Sequence, residues 1–133
     1  MEYEEPGYWE MLIRRSVSRF LFLACLAKGP QHGYEIGKTM RALYGGCCDP
    51  SEAMIYPTLR QLQEGEYVDC HAEHVGGREQ KVCQLTEKGY EAFRAAAASW
   101  GQVLPYLQTA IDEAGEAATI KPRPGTVVNI RRQ

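Results

Sequence analysis

The sequence predicts a mainly α-helical fold with one small β-hairpin and a long helix at its end. Three observations support this fold class. An amphipathic segment at 49–62 begins like a helix, two strand-like runs between 67 and 85 meet at a Gly-Gly pair, and apolar residues from 90 to 111 recur at heptad spacing. A helix followed by a hairpin with a basic tip is the arrangement of a winged helix-turn-helix. We therefore predict a winged helix-turn-helix with a long C-terminal dimerisation helix.

The composition is that of a small globular protein. The 133 residues are 44% hydrophobic, enough for one domain with appendages. The longest apolar run, at 20–27, is far shorter than the roughly 18 residues that a membrane helix needs. The N-terminus carries Glu2, Glu4 and Glu5 where a signal peptide would be basic. We expect a cytoplasmic protein that does not enter a membrane.

Two helices are predicted before the turn at 45–50. Residues 1–8 are expected to be a flexible leader, and apolar residues at helical spacing predict the first helix from about Trp9 to Ala27. Gly29 and Pro30 end it. Residues 31–44 are predicted to form the second helix, which braces the third. Three arginines on the first helix form a solvated face, contact phosphate or shield acidic neighbours: Arg14, Arg15 and Arg19.

The third helix is the predicted recognition helix. Asp49 or Ser51 caps it, Pro50 suits its first position, and Ile55, Leu59 and Leu62 form one apolar stripe that faces a core. The opposite side is short and lightly charged, unlike a solvated face, so we expect it to contact a partner. Its members are Ala53, Met54, Pro57, Arg60 and Gln61, with Tyr56 on the flank.

The hairpin follows this helix. Runs at 67–74 and 80–85 are strand-like, and both residues of the Gly76-Gly77 pair adopt positive φ without strain, as a tight turn requires. A two-residue turn there places Cys70 directly opposite Cys83. Arg78 and Lys81 put positive charge near the tip.

The five cysteines show no Cys-x-x-Cys spacing, so no structural metal site is predicted. Cys25 is expected to be a buried apolar residue. Cys70 and Cys83 are expected to be reduced, inward-packing thiols, because cytosolic thiols normally stay reduced. Cys47 and Cys48, in an exposed turn, are the better candidates for thiol or metal sensing. Strand alternation sends His71 and His74 to opposite faces, which argues against a metal site on the hairpin.

The last helix, at 87–115, is predicted to hold two chains together. Thr86 caps it, and Pro105 is expected to bend it. A seam of heptad spacing has no partner within so small a domain, so a second copy of the chain is expected to cover it. The seam residues are Tyr90, Phe93, Ala97, Trp100, Leu104, Leu107 and Ile111. Residues 116–133 are expected to form a disordered tail.

Four segments, at 26–36, 55–62, 76–78 and 85–89, resemble the PadR family of bacterial transcriptional regulators in order and spacing. The resemblance covers roughly residues 15–115 and implies a winged-helix homodimer that represses genes and is released by a small-molecule effector. One departure is that Gly65 comes one place early, so that Glu66 holds the position where the family has glycine. A left-handed conformation at Glu66 would cost about 1 kcal/mol.

The resemblance also suggests an effector site. Ser99-Trp100 looks like the multidrug-binding members of the family, in which a tryptophan and its symmetry mate flank a flat hydrophobic pore. Small residues such as Ala97 leave room for a planar ligand beside Trp100, and Trp9 and Leu12 are expected to line the same cavity. The alternative is that Trp100 is only an anchor of the dimer core.

These observations favour a homodimeric DNA-binding repressor with an inverted-repeat operator. The expected DNA contacts are Tyr34, Ser51, Ala53, Met54, Tyr56, Pro57, Arg60, Gln61, Arg78 and Lys81. For Tyr34, burial in the core is as well supported by the sequence as contact with phosphate. For His32, a local cap or a packed ring is better supported than a hydrogen bond to phosphate. A net charge of −2 and acids around the third helix keep a protein-interaction module open as an alternative. A thiol- or metal-responsive regulator of the same fold is another. No catalytic constellation or cofactor site is present in the sequence, so an enzyme is not expected.

Overall fold

The computed structural model describes residues 2–45 and 52–117, which form four α-helices and a three-stranded antiparallel sheet of order β1-β3-β2. The elements are α1 (Pro6–Leu26), β1 (Gln31–His32), a 3₁₀ turn (Gly33–Glu35), α2 (Ile36–Tyr44), α3 (Glu52–Glu64), β2 (Val68–Val75), β3 (Arg78–Leu85) and α4 (Glu87–Ala117). This confirms the predicted fold class. The predicted caps Asp49 and Ser51, the Cys47-Cys48 turn and the tail from 118 lie outside the described residues.

The described residues form two compact units. The first ends at Ala96, and the second begins at Ala97, within α4. The core of the first unit joins α1, α2, α3 and the sheet around side chains that are fully buried: Phe22, Cys25, Leu26, Ile36, Met40 and Cys83. Cys25 is therefore a core residue, as predicted. No helix in residues 2–45 and 52–117 is long and apolar enough to cross a membrane.

The first helix begins earlier than predicted. It starts at Pro6 rather than near Trp9, so residues 6–8 are helical and not part of a flexible leader. The physical reason is that the proline ring fixes φ near the helical value, and the first helical position needs no amide proton. Arg14, Arg15 and Arg19 all lie on its exposed side.

The predicted second helix is wrong in its first five residues. Gln31–His32 is a strand that pairs with the central strand β3, opposite Cys83 and Val82, and α2 starts only at Ile36. Gly29, with φ of 143°, and Pro30 bring the chain out of α1 in an extended path. The Gln31 amide then donates to the Cys25 carbonyl at 2.8 Å, which holds β1 against α1.

The hairpin has the predicted register. Gly76 and Gly77 form a two-residue turn with φ of 57° and 78°, and Cys70 pairs with Cys83. Both strands extend to the turn, further than predicted. The expectation of two reduced thiols is wrong, because the structure joins Cys70 and Cys83 by a disulfide bond. Directly opposed residues of an antiparallel pair bring their Cβ atoms close enough for such a bond.

Helix α3 ends in a left-handed residue that is not glycine. Glu66 has φ of 64°; its N–H donates to the Gln63 carbonyl at 3.0 Å, and the Tyr67 N–H donates to the Leu62 carbonyl at 2.8 Å. These two bonds are those of a Schellman motif, in which glycine normally holds the left-handed position. The expected left-handed cap at Glu66 is therefore present.

The end of α3 is tied to the start of α4. The Thr86 hydroxyl donates to the Glu66 carbonyl at 2.6 Å and accepts the Gly89 N–H at 3.1 Å, which confirms its predicted capping role. The Lys88 ammonium donates to the Gly65 carbonyl at 2.7 Å and lies 4.4 Å from the centre of the Tyr67 ring. We call residues 65–67 together with 86–89 the α3–α4 junction.

Replacing Glu66 with glycine should raise the free energy of unfolding by about 1 kcal/mol, because glycine adopts positive φ without the steric cost of a Cβ atom. Urea unfolding followed by circular dichroism measures this change. The same replacement at Glu64, within α3, is the matched control and should destabilise by about 0.5–1 kcal/mol. A loss of stability in both variants would contradict the interpretation of Glu66.

The predicted seam of helix α4 has a part that packs against the core and a part that is exposed. Tyr90 and Phe93 pack against the core of the first unit, where the Phe93 ring stacks on Phe20 with centroids 5.9 Å apart. In the second unit Ala97 and Trp100 are half-buried, and the helix continues through Pro105. The last three seam residues are exposed by 63%, 45% and 63%: Leu104, Leu107 and Ile111.

Candidate nucleic-acid interface

Helix α3 presents most of the predicted outward face. Ile55 and Leu59 are buried in the core, as the apolar stripe predicts. On the other side, Tyr56, Pro57, Arg60 and Gln61 are exposed. Met54 is an exception to the prediction, since its side chain is half-buried and packs against the core. The side chain of Ala53 and all of Ser51 lie outside what the structure describes.

A surface groove separates α3 from β3. We call it the recognition groove; its volume is about 400 Å³. It brings together four of the predicted contact residues from three elements: Tyr34, Tyr56, Arg60 and Lys81. The remaining lining residues are Gly33, Leu59, Gln63, Glu79, Gln80 and Cys83. Arg78 is exposed at the hairpin turn and does not line this groove. The groove therefore combines two cationic and two aromatic side chains, beside the acid Glu79, and cations with aromatic rings suit a nucleic-acid backbone and bases.

Tyr34 points toward solvent instead of filling the core. Its side chain is 53% exposed, and its ring stacks on His32 with centroids 5.5 Å apart. Desolvation raises the pKa of the Tyr34 phenol, and the charge of Glu35 raises it further. A hydrogen bond with the Glu35 side chain raises this pKa as well, so the Tyr34 hydroxyl already has a partner within the chain. The alternative that Tyr34 is buried is wrong.

Two basic residues of α2 also border this surface. Lys38 and Arg41 line a second cavity of about 190 Å³ together with Tyr34 and Tyr56. Both are exposed and lie on the side of α2 opposite the buried Ile36 and Met40. The sequence analysis missed them, although their spacing of three residues on the polar side of an amphipathic helix was a usable signal. Positive charge on this surface thus comes from α2, α3 and the hairpin.

Gln61 has a partner within the chain. The Arg19 guanidinium of α1 donates to the Gln61 side-chain carbonyl at 2.7 Å. Arg19 is exposed, as the reading of a solvated face expects, and this hydrogen bond also links α1 to α3. With its carbonyl engaged, the Gln61 amide presents its N–H groups to any further partner, so it is suited to contact an acceptor.

The histidines do not assemble a metal site. His71 and His74 are exposed on β2, and in residues 2–45 and 52–117 no group of three or more His, Cys, Asp or Glu is placed to hold a metal ion. The Nδ1 atom of His32 is buried and has no hydrogen-bond partner. Together with its stacking on Tyr34, this places His32 as a packed ring, the reading favoured from sequence.

The residues predicted to line an effector pocket are distributed over both units. Trp9 and Leu12 belong to the first unit and are partly exposed on α1, where the Trp9 indole N–H donates to the Tyr3 carbonyl at 2.5 Å. Ala97 and Trp100 belong to the second unit. The effector pocket stays a prediction.

The three-stranded sheet, the helices packed on it and the exposed face of α3 define a winged helix-turn-helix. The model of the transcriptional regulator PadR-like family matches residues 22–95, more than half of the chain. The protein therefore belongs to the PadR-like family of transcriptional regulators. This is a family of regulators, which agrees with the prediction that the chain is not an enzyme.

The chain is also similar to relatives with known sequences or structures. The chain is 39% identical over 71 residues to the transcriptional regulator YqjI of Escherichia coli, and it spans about a third of that relative's length. A PadR family regulator from Eggerthella lenta matches 79% of the chain and 90% of its own length, with a TM-score of 0.68 and 21% identity. Bacillus subtilis PadR, solved in complex with operator DNA, matches 59% of the chain and 46% of its own length, with a TM-score of 0.55 and 25% identity.

Proposed function

We propose that this protein is a sequence-specific DNA-binding regulator of transcription. The observation that carries the proposal is the recognition groove, where Tyr56 and Arg60 of α3 stand exposed beside Lys81 of the wing and Tyr34. A helix of this kind enters the major groove, and the hairpin beside it reaches the backbone. The solved complex of Bacillus subtilis PadR with operator DNA supports the same use of this fold. Such a regulator acts in the cytoplasm, where the chromosome lies.

The exposed residues divide into two roles. Arg60, Tyr56 and Pro57 face outward from α3 and contact base edges and thymine methyl groups, which carry the sequence information. Gln61 adds an N–H donor to a base acceptor or a phosphate. The phosphate contacts come from the surrounding elements and position the protein without reading sequence: Tyr34, Lys38, Arg41, Arg78 and Lys81.

The acting form is a homodimer that represses transcription. Leu104, Leu107 and Ile111 leave an apolar stripe exposed on α4, and a second copy of the chain covers it by the same heptad spacing. A two-fold dimer presents two copies of α3, so the operator is an inverted repeat. Affinity follows the local charge on the DNA-facing surface, so the cations that two subunits place there neutralise several phosphates despite the net charge of −2 per chain.

A planar hydrophobic effector releases the repressor from DNA. Ala97 and Trp100 are half-buried on α4, and an indole beside small side chains suits a flat aromatic ring.

Selection from a library of random duplex DNA, followed by fluorescence anisotropy, tests the DNA-binding proposal. We expect an enriched inverted repeat that binds a protein dimer, with affinity that falls as salt rises because condensed cations are released from the phosphates. Sedimentation in the same buffer gives the oligomeric state. No enrichment, or binding that does not respond to salt, would favour a winged helix that contacts another protein. A monomer on the enriched DNA would contradict the repressor dimer.

The same assay, repeated with a panel of planar aromatic compounds, tests the effector. A true effector should release the DNA and quench tryptophan fluorescence, and the Trp100→Ala variant should lose both responses. Release of DNA that persists in the variant would place the ligand elsewhere.

A further inference from the structure

We propose that the Cys70–Cys83 disulfide is a thiol-responsive switch that sets how firmly the wing is held for DNA binding. The inference rests on the proposed function, since it concerns the same surface. Here the wing means the hairpin between the two cysteines, residues 71–82. The disulfide joins β2 to β3 at the base of the wing, where Cys83 also pairs with Gln31 of β1. Three strands therefore meet at the bonded pair.

The wing beyond this bond has little core of its own. Residues 71–74, 76–79 and 81 are exposed, the side chain of residue 75 lies outside what the structure describes, and the buried Val82 lies next to Cys83. A two-stranded hairpin without an apolar face is only marginally ordered in water. Its order thus depends on the backbone ladder and on the covalent bond at its base. Arg78 and Lys81, the two basic residues of the wing, both lie beyond that bond.

The disulfide also borders the recognition groove. Cys83 is fully buried in the core and forms part of the groove wall, together with Arg60 of α3 and Lys81 of the wing. Its partner Cys70 is half-buried on β2. Breaking the bond would leave the strand that carries Lys81 held to β2 by the backbone ladder alone. The distance between the wing and α3 would then be less narrowly fixed.

The chemistry is ordinary thiol–disulfide exchange with a low-molecular-weight thiol. A thiolate attacks the more accessible sulfur, that of Cys70, forms a mixed disulfide and displaces Cys83 as a thiolate, which takes up a proton. A second thiol attacks the mixed disulfide, releases Cys70 and leaves as the small disulfide. The net reaction consumes two small thiols and reduces one protein disulfide to two thiols. The reverse reaction, with a small disulfide as oxidant, restores the bond.

The compartment favours this interpretation over a purely structural bond. A DNA-binding regulator works beside the chromosome, where thiols are kept reduced, and disulfides found there are usually transient and redox-sensing. Oxidation would then close the base of the wing and increase operator affinity, whereas reduction would weaken it. The buried thiol of Cys25 is a poor alternative sensor, because burial raises its pKa.

The experiment compares the full chain equilibrated with oxidised glutathione and with dithiothreitol, with the disulfide counted by mass spectrometry. We expect hydrogen exchange in residues 71–82 to be faster in the reduced protein. We also expect binding to the selected operator to weaken by about tenfold on reduction, within the usual range for coupled sites. Equal exchange and equal affinity in the two states would overturn the proposal.

Two variants test whether the redox response comes from the Cys70–Cys83 pair. Cys70→Ser should bind like the reduced protein under both conditions, whereas the double variant Cys47→Ser/Cys48→Ser should respond like the unmodified chain. A redox response that survives in Cys70→Ser would overturn the assignment to this pair. If neither state binds DNA, the proposed function fails, and the exchange rates of the wing still decide whether its order depends on the bond.

Discussion

Replacing Arg60 with alanine should remove most of the preference for the selected operator over a scrambled duplex. A guanidinium that donates two hydrogen bonds to guanine contributes about 1–3 kcal/mol of discrimination, or roughly 5- to 150-fold in relative affinity. Arg60 is exposed on α3 and lines the recognition groove, so its loss affects DNA contacts without opening the core. Anisotropy competition between the two duplexes measures the effect.

Two further arginine variants separate base contact from charge. Arg60→Lys keeps the positive charge but loses the planar fork, so it should retain general DNA affinity and lose the preference. Arg15→Ala removes the same charge from an exposed position on α1 and should leave the preference unchanged. If Arg60→Ala still prefers the selected duplex as strongly as the unmodified protein, Arg60 is not a base contact.

Replacing Gly89 with alanine should lower the free energy of unfolding by about 2–3 kcal/mol, at the upper end of what overpacking costs. A Cβ atom at this position would lie 2.1 Å from the Tyr67 carbonyl oxygen and 3.1 Å from a Leu85 methyl carbon. The same carbonyl accepts the Thr86 N–H at 3.0 Å, so the backbone cannot retreat without breaking that bond. Urea unfolding measures the loss.

Gly101 supplies the matched control for this experiment. It lies in the same helix, and a Cβ atom there would meet nothing within 4 Å. Gly101→Ala should therefore be neutral or stabilise by up to about 1 kcal/mol through helix propensity. Similar losses in both variants would show that the Gly89 effect does not come from the contact with Tyr67.

Patterns among residues close in sequence were sufficient to predict much of this fold. The Gly-Gly turn fixed the register of the hairpin, since only one alignment of the strands is compatible with a two-residue loop. Helical periodicity identified Ile55 and Leu59 as core residues and Arg60 as an exposed one. The left-handed conformation of Glu66 was indicated by the PadR resemblance, which places the family's glycine at this position, and not by a local pattern.

The errors came from contacts between distant parts of the chain. Gln31–His32 forms a strand because β3, fifty residues later, offers it a hydrogen-bonding edge. Helical periodicity places Met54 on the outward face of α3, yet its side chain packs against the core. The disulfide also depends on redox chemistry, which no sequence pattern reports. The contact of Arg19 with Gln61 joins two helices whose relative placement periodicity does not give.

The α3–α4 junction joins the two helix ends by hydrogen bonds, so we expect the ends to move together. The hydrogen bonds from Thr86 and Lys88 to the backbone carbonyls at 65–66 connect the end of α3 directly to the first turn of α4. Helix α3 has 13 residues and is roughly 20 Å long, so a tilt of about 10° at this end displaces its far end by roughly 3 Å. That is about the length of a hydrogen bond, so under the proposed function a rotation at the start of α4 would break the DNA contacts made near the N-terminal end of α3.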